Sequence, residues 1–326
     1  MMKKKFAVLM MMGLVVSSMI LPVSAEEGDT YKIGVCQLME HTALDAAYEG
    51  FLEGLKEAGY EEGVNLEIDM NNAQGDQSNC ATIAAKLKNE DCDLVLAIAT
   101  QAAQACANEI TDTPIVITAV TDPAESGLVD SNEAPGANLT GTSDLTPVAS
   151  QIAMIQKLVP DAKTVGVFYN SSETNSKLQA DMAIEAGEEL GYTMETYTVS
   201  ATNEIQQVME SMVGKVDALY IPTDNMLASN MPTVALVANP AKIPVICGES
   251  GMVENGGLIT NGINYHDLGV LTGQQAAKIL EGADPAEMPI EYCDESSYTY
   301  TINEDTAAEI GIEIPEEFLG GENAES

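Results

Sequence analysis

Residues 94–120 read LVLAIATQAAQACANEITDTPIVITAV, and this stretch sets the class of the whole chain. Leu94–Ala99 is a continuous apolar run of strand length, and Pro114–Val120 is a second one. Between them, Gln101–Glu109 is rich in alanine and reads as a short helix. A strand that is apolar on both sides must have both sheet faces covered, and a helix joining two such strands lets them run parallel. The unit is strand, helix, parallel strand.

The same unit recurs on both sides of it. Upstream, Lys32–Leu38 is a strand, and Leu44–Ala58 is a helix with apolar residues at three-to-four spacing, closed by Gly59. Val64–Met70 alternates as a strand does, and Gln77–Lys88 is helical. Downstream the pattern restarts with a helix at Pro147–Leu158, a buried strand at Thr164–Tyr169 and a helix at Thr174–Leu190 ended by Gly191. Thr193–Val199 alternates, Ala201–Val213 and Met226–Ala238 are helical, and Ala218–Ile221, Ile243–Cys247 and Gly257–Gly262 are strands. A last helix, Tyr265–Glu281, and a last strand, Tyr298–Ile302, are left over.

Two halves of roughly 110–130 residues each predict an α/β protein of two Rossmann-like lobes with parallel sheets, joined by a hinge that the chain crosses more than once. The crossings are expected near Ser143–Pro147, Asn261–His266 and Tyr292–Ser297. That division gives an N-terminal lobe of residues 31–143 plus 266–292 and a C-terminal lobe of residues 147–262 plus 297–318, with a flexible tail at 319–326.

The first 25 residues are of another kind. Met1–Lys5 carries three lysines, Phe6–Ile20 is apolar, and Leu21–Ala25 ends in Val-Ser-Ala. A charged start, a short apolar run and a small-residue cleavage site make residues 1–25 a secretory signal peptide, with the mature chain starting near Glu26. The protein is therefore expected to be exported, working at the periplasmic or extracellular face of the cytoplasmic membrane. No cysteine stands at the cleavage site to carry a lipid anchor.

Charge narrows the partners. The chain has 51 acidic residues against 13 basic ones, a net charge of −38, and every basic residue is a lysine. Such a balance excludes nucleic acid, whose phosphates need a basic face, and argues against anionic lipid. Most of the charge reads as a solvated surface. Without arginine there is no guanidinium fork for a carboxylate or phosphate, so an anion must be held by helix N-termini, hydroxyls or lysine. The six cysteines form no CxxC pair and have no zinc-type spacing with histidine. Cys36, Cys106 and Cys247 lie in apolar surroundings and read as small buried hydrophobes. No cofactor is implied.

Catalytic fingerprints are missing as well. There is no G-x-G-x-x-G after the first strand and no P-loop. Gly248-Glu249-Ser250-Gly251 resembles a nucleophile elbow, but Met252 stands where its last glycine belongs, and the chain has two histidines in all. The chain is expected not to be an enzyme.

Ligands of open parallel sheets bind beyond the carboxyl ends of the strands. In this chain those loops hold hydroxyls, amides and carboxylates in both halves. Thr42, Thr100, Ser171 and Asp224 are also ordinary helix-capping types, and Asp76 reads as a turn residue. The segments Glu40–Asp45, Asn72–Asn79, Thr118–Pro123, Tyr169–Glu173 and Val216–Asn225 resemble one family, the substrate-binding proteins of ABC importers of tryptophan/tyrosine type. The resemblance runs from about Tyr31 to Phe318. It departs at Thr42, where the family often has proline, and at Gly248-Glu249-Ser250, in a segment the family varies.

That resemblance implies a type I periplasmic-binding-protein fold, closure of a hinge on a small ligand, and delivery to the transmembrane subunits of an ABC permease by a monomeric carrier. The expected ligand is an aromatic or large apolar amino acid, with a sugar or nucleoside carrier, or an exported sensor subunit, as alternatives. From the N-terminal lobe the ligand-facing residues are expected to be Glu40, His41, Thr100, Gln101, Ala119 and Thr121. From the C-terminal lobe they are Tyr169, Asn170, Ser171, Asn175, Asp224 and Glu249. The carboxylate would meet Thr100, Gln101 and Thr121, and the ammonium would pair with Asp224 or Glu249. His41, Tyr169 and Asn170 would line the side-chain end. Broad aromatic faces, which sugar sites use, are scarce: the chain has no tryptophan and four phenylalanines.

Overall fold

The computed structural model describes residues 30–319; the signal-peptide segment 1–25 and residues 320–326 of the tail lie outside them. From β1 (Tyr31–Gln37) the chain runs through α1 (Thr42–Glu57), β2 (Leu66–Asn72), α2 (Gln77–Leu87), β3 (Leu94–Ile98), α3 (Thr100–Glu109) and β4 (Ile115–Val120) to β5 (Leu139–Ser143). A second unit follows: α4 (Val148–Leu158), β6 (Thr164–Asn170), α5 (Thr174–Glu189), β7 (Thr193–Val199), α6 (Ile205–Met212) and β8 (Ala218–Ile221). It continues through α7 (Asn225–Ser229), α8 (Met231–Ala238), β9 (Val245–Cys247), α9 (Ser250–Glu254) and β10 (Ile259–Gly262). Then α10 (Tyr265–Leu280) returns to pack on α1, and β11 (Glu291–Tyr292) joins the first sheet. Finally β12 (Thr299–Ile302) joins the second sheet, before α11 (Glu304–Ile310) and α12 (Glu316–Leu319).

The two sheets share one strand order. The first is β11-β5-β4-β3-β1-β2 and the second β12-β10-β9-β8-β6-β7. The first is parallel throughout; in the second, β12 runs antiparallel to β10. The continuous apolar run at 94–98 is β3, every residue of it buried, as expected of a strand covered on both faces. In the second lobe, alternate residues sort to opposite faces: Val165, Val167 and Tyr169 pack into one core cluster, and Phe168 packs into another.

Two local readings differ from the structure. The segment Leu139-Thr140-Gly141-Thr142-Ser143 has too few apolar side chains to read as a strand, yet it is the buried strand β5. Its hydroxyls take the place of apolar packing: Thr140 donates to the Met288 carbonyl at 2.7 Å, and Thr142 to the Thr118 hydroxyl at 3.1 Å. The helix expected over Met226–Ala238 breaks at Asn230, because Pro232 lacks the N–H that a continuous helix would use there and fits only the first turn of a new helix, α8.

The α1–α10 pair anchors the first lobe, and glycine permits its close approach. A β-carbon at Gly50 would collide with the His266 carbonyl, and one at Gly269 with the Ala47 carbonyl. Alanine is the better helix former by about 1 kcal/mol, so on an isolated helix Gly269→Ala would stabilise. Here it is expected to destabilise by about 1–3 kcal/mol through overpacking. Thermal denaturation checks the sign, and a gain in stability would contradict the close backbone contact.

Candidate ligand-binding cleft

Each sheet reverses its strand order between its first and third strands, β1/β3 and β6/β8, the switch points where α/β sheets bind ligands. The loops beyond these points meet face to face. They close on a narrow space of about 10 Å³, room for about one water, to which the first lobe contributes His41, Ala119 and Thr121 and the second Asn175, Asp224 and Glu249. Polar contacts bridge the lobes: His41 Nε2 lies 3.1 Å from Asn225 Oδ1, and Gln101 donates to the Ser172 carbonyl at 3.1 Å. Gln179 donates to Thr121 Oγ1 at 3.2 Å, and Asn255 to Thr42 Oγ1 at 3.3 Å.

The second lobe's wall is assembled on a buried carboxylate. Glu173 accepts hydrogen bonds from the side-chain amides of Asn170 (3.2 Å), Asn175 (3.4 Å) and Asn225 (2.6 Å). It also accepts from the backbone N–H groups of Asn225 and Met226, each at 3.1 Å. Beside it, Asp224 caps α7 through Leu227 N–H (2.9 Å) and takes Asn170 N–H at 2.6 Å. Glu249 caps α9, accepting from Gly251 N–H at 2.5 Å and Met252 N–H at 2.9 Å.

Asp144 completes the wall at the first crossing. Its Oδ2 accepts from the Tyr265 hydroxyl at 2.6 Å, while its Oδ1 is buried with no hydrogen-bond partner. On the β4 side, Ala119 has φ +54 within a register shift of the β4–β5 ladder between Ile117 and Val120. A non-glycine residue in that region is strained by roughly 1–2 kcal/mol, and an irregularity of this kind re-aims the side chains that follow. Thr121 is delivered to the cavity in this way.

Electrostatically the cavity is one-sided. Asp144, Asp224 and Glu249 line it, and no lysine does. Burial pushes Asp224 up to about 8, with the Glu173 charge adding to it, and burial pushes Glu249 up to about 7. Burial also raises Asp144, partly offset by the hydrogen bond from the Tyr265 hydroxyl. His41 is pushed down by burial, against the Asn225 hydrogen bond and the charges of Glu173 and Asp45.

Of the residues expected at the site, His41, Ala119, Thr121, Asn175, Asp224 and Glu249 are brought together on the cavity wall. Glu40 is exposed to solvent. Thr100 is buried at the start of α3, and Gln101 is spent on the inter-lobe contact, so neither lines the cavity. Tyr169 packs into the second lobe's core, Asn170 is used by Glu173 and Asp224, and Ser171 donates to the Val199 carbonyl at 3.2 Å. Leu44, Asp144, Thr223, Asn225, Ala228 and Tyr265 line the cavity without having been singled out for it. Asn225 stands beside Asp224 beyond a strand end, Asp144 directly follows β5, and Tyr265 opens α10 shortly after β10, so their positions carried a signal; their roles did not.

Among the capping types, Asp224 caps a helix, whereas α1 and α3 follow His41 and Ala99, neither with a side-chain cap. Asp76 does more than turn the chain: it caps α2 through Ser78 N–H (2.7 Å) and Asn79 N–H (3.1 Å). All six cysteines are free, and Cys36, Cys80, Cys106 and Cys247 are buried. Among the described residues there is no cluster able to hold a metal ion and no helix long and apolar enough to cross a membrane.

Two lobes of this topology closing on a strand-end cleft are the type I periplasmic-binding-protein fold. The family model for ABC transporter substrate binding proteins matches residues 32–324, and the chain belongs to that family. It is 44% identical over 274 residues to a tyrosine-binding protein of Clostridioides difficile, spanning 84% of this chain and 79% of that one. It is 42% identical to an ABC domain from Streptococcus pneumoniae solved in complex with L-Trp, covering 89% of this chain and 98% of that one, with a TM-score of 0.86. A ligand-free, open structure of a substrate binding protein with adhesive properties from Clostridium difficile is 44% identical, covering 90% and 98%, with a TM-score of 0.69. At nearly equal identity the overall shape is closer to the complex than to the open form, in keeping with the bridged lobes.

A carboxyl raised by folding holds a proton that the unfolded chain gives up. Its stabilising contribution is full below the ordinary carboxylate range, about pH 4, and is lost as pH rises through the folded value. For Glu249 and Asp224 that loss runs up to about pH 7 and about pH 8. Glu249→Gln removes one of the two, so the wild type should lose thermal stability relative to this variant between about pH 4 and pH 7. A pH-independent difference in Tm would rule this out.

Proposed function

We propose that this chain is the extracytoplasmic solute-binding component of an ABC importer, and that it captures an aromatic amino acid between its lobes. The observation that carries the reading is the unpartnered Asp144 Oδ1 in a cavity that holds carboxylates and no lysine. Carboxylates gathered in a low-dielectric space call for a cation, and an α-ammonium supplies one. Asp224 and Glu249 have both oxygens committed to N–H donors, so Asp144 takes the ammonium. The carboxylate of the same ligand goes to the hydroxyls of Thr121 and Thr223, whose oxygens both accept from Gln179 and lie 3.5 Å from each other, so that at least one hydrogen is left to donate outward. Thr121 lies beside Asp144, as the receivers of two groups on one α-carbon must.

The aromatic side chain is supported by the relatives named for tyrosine and solved with L-Trp. A neutral sugar would leave the acidic cavity without a counter-charge, which disfavours the sugar reading. The chain binds and releases its ligand unchanged, hands it to the transmembrane subunits of a permease and works outside the cytoplasmic membrane. Receivers spread over both lobes make ligand contacts that exist only when the cleft is shut, and that difference drives closure.

A thermal-shift screen followed by calorimetry tests this. Tyrosine or tryptophan at ~100 times its dissociation constant should add about 2.7 kcal/mol of stability. Asp144→Asn keeps an acceptor for Tyr265 and should weaken amino-acid binding at least ~10-fold, the scale of a lost charge-assisted hydrogen bond. A shift with a sugar or nucleoside and none with any amino acid would sink the reading.

A further inference from the structure

Asn225 is held in one orientation. Its Nδ2 donates to Glu173 Oε2 at 2.6 Å, and its backbone N–H reaches the same oxygen at 3.1 Å. A carboxylate only accepts, so the amide nitrogen must face it, which turns Oδ1 toward His41 Nε2, 3.1 Å away. An amide oxygen also only accepts. The ring proton of His41 therefore sits on Nε2, and Nδ1 presents a bare lone pair. That Nδ1 is buried and without a partner, on a side chain that lines the cavity. Burial holds the ring in its neutral form, against the nearby charges of Glu173 and Asp45.

The lone pair needs a donor from the ligand. The ammonium is better placed on the Asp144 carboxylate, because in a low-dielectric cavity a full opposite charge outcompetes a neutral acceptor. What remains for His41 is a neutral donor on the side chain. We propose that His41 Nδ1 accepts a hydrogen bond from the ligand's ring, the phenolic O–H of tyrosine or the indole N–H of tryptophan, and thereby discriminates against phenylalanine. The inference rests on the aromatic amino-acid reading above and adds the group that selects within that class. Phenylalanine, of the same shape as tyrosine, leaves the buried acceptor unpaired, and sites built to bond a donor reject the analogue that lacks it. Glu173 and Asn225 act as positioning residues that set the tautomer.

The chain has two histidines, and the other, His266, lies on α10 within 3.3 Å of Glu53 and outside the cavity, so ring 15N spectra of the full protein carry their own control. In the closed protein with tyrosine or tryptophan bound, His41 should be the Nε2–H tautomer, the form its Asn225 contact across the cleft selects. Relative to the phenylalanine complex, tyrosine or tryptophan should shift Nδ1 and leave His266 unmoved. A proton on Nδ1, or the same Nδ1 shift in the phenylalanine complex, overturns the proposal.

By calorimetry, the wild type should prefer tyrosine or tryptophan to phenylalanine by on the order of 10- to 100-fold. His41→Phe should bring the three ligands to within about 3-fold, by weakening tyrosine and tryptophan alone. Equal weakening of all three would put His41 at the shared amino-acid end and overturn the assignment. If that variant fails to fold, the wild-type spectra decide. Equal wild-type affinity for tyrosine and phenylalanine sinks this inference alone, whereas no binding of any amino acid sinks the reading beneath it as well.

Discussion

A single carboxylate, buried at the edge of the cleft, holds the second lobe's half of the site in shape. Glu173 collects five N–H donors from the end of β6 and the first turns of α5 and α7. A charge that far from water is tolerated only when its lone pairs are filled, so these segments are constrained to the conformations that fill them. Asp224 feels that charge, which adds to the effect of burial in raising it to about 8. Asn225 is aimed by it, and through Asn225 the constraint reaches His41 in the other lobe. Removing the carboxylate would therefore disturb capping, titration and the inter-lobe contact together.

The cleft is tied to the hinge by its chemistry. Asp144 immediately follows β5 at one crossing, Tyr265 opens α10 at another, and the two are bonded to each other at 2.6 Å. A charge arriving at Asp144 is thus felt in the connecting segments as well as in the cavity. The contacts that bridge the lobes are hydrogen bonds between neutral groups, each worth about 1 kcal/mol net. Such contacts define a closed geometry without locking it, which suits a carrier that must release what it binds.

Much of the fold was legible in residue order because β3 and its neighbours are apolar on both sides, and that pattern permits few alternatives. The exceptions share a cause. Strand β5 is stabilised by threonine hydroxyls bonded to Met288 and Thr118, partners that no local pattern announces, and β11 is two residues long. Pro232 did carry a visible break signal, but it lies inside a strongly apolar stretch that reads as one helix. At the site, loop position pointed to Asp224 and Glu249, whereas Tyr169 looked available only because its packing into the core is a long-range property.

Local order settled what depends on neighbours a few residues apart: the alternation of strands and helices, the two repeated halves, the acidic balance without arginine, and the polar loops at the strand ends. Three-dimensional packing settled what depends on residues 52 to 184 positions apart. It spent Gln101 on Ser172's side of the cleft, left one oxygen of Asp144 bare, and turned Asn225 so that His41 presents a lone pair. The division has a simple origin. Periodicity is a property of the chain's own spacing, while the state of a polar atom depends on which donor or acceptor the folded chain carries to within 3 Å of it.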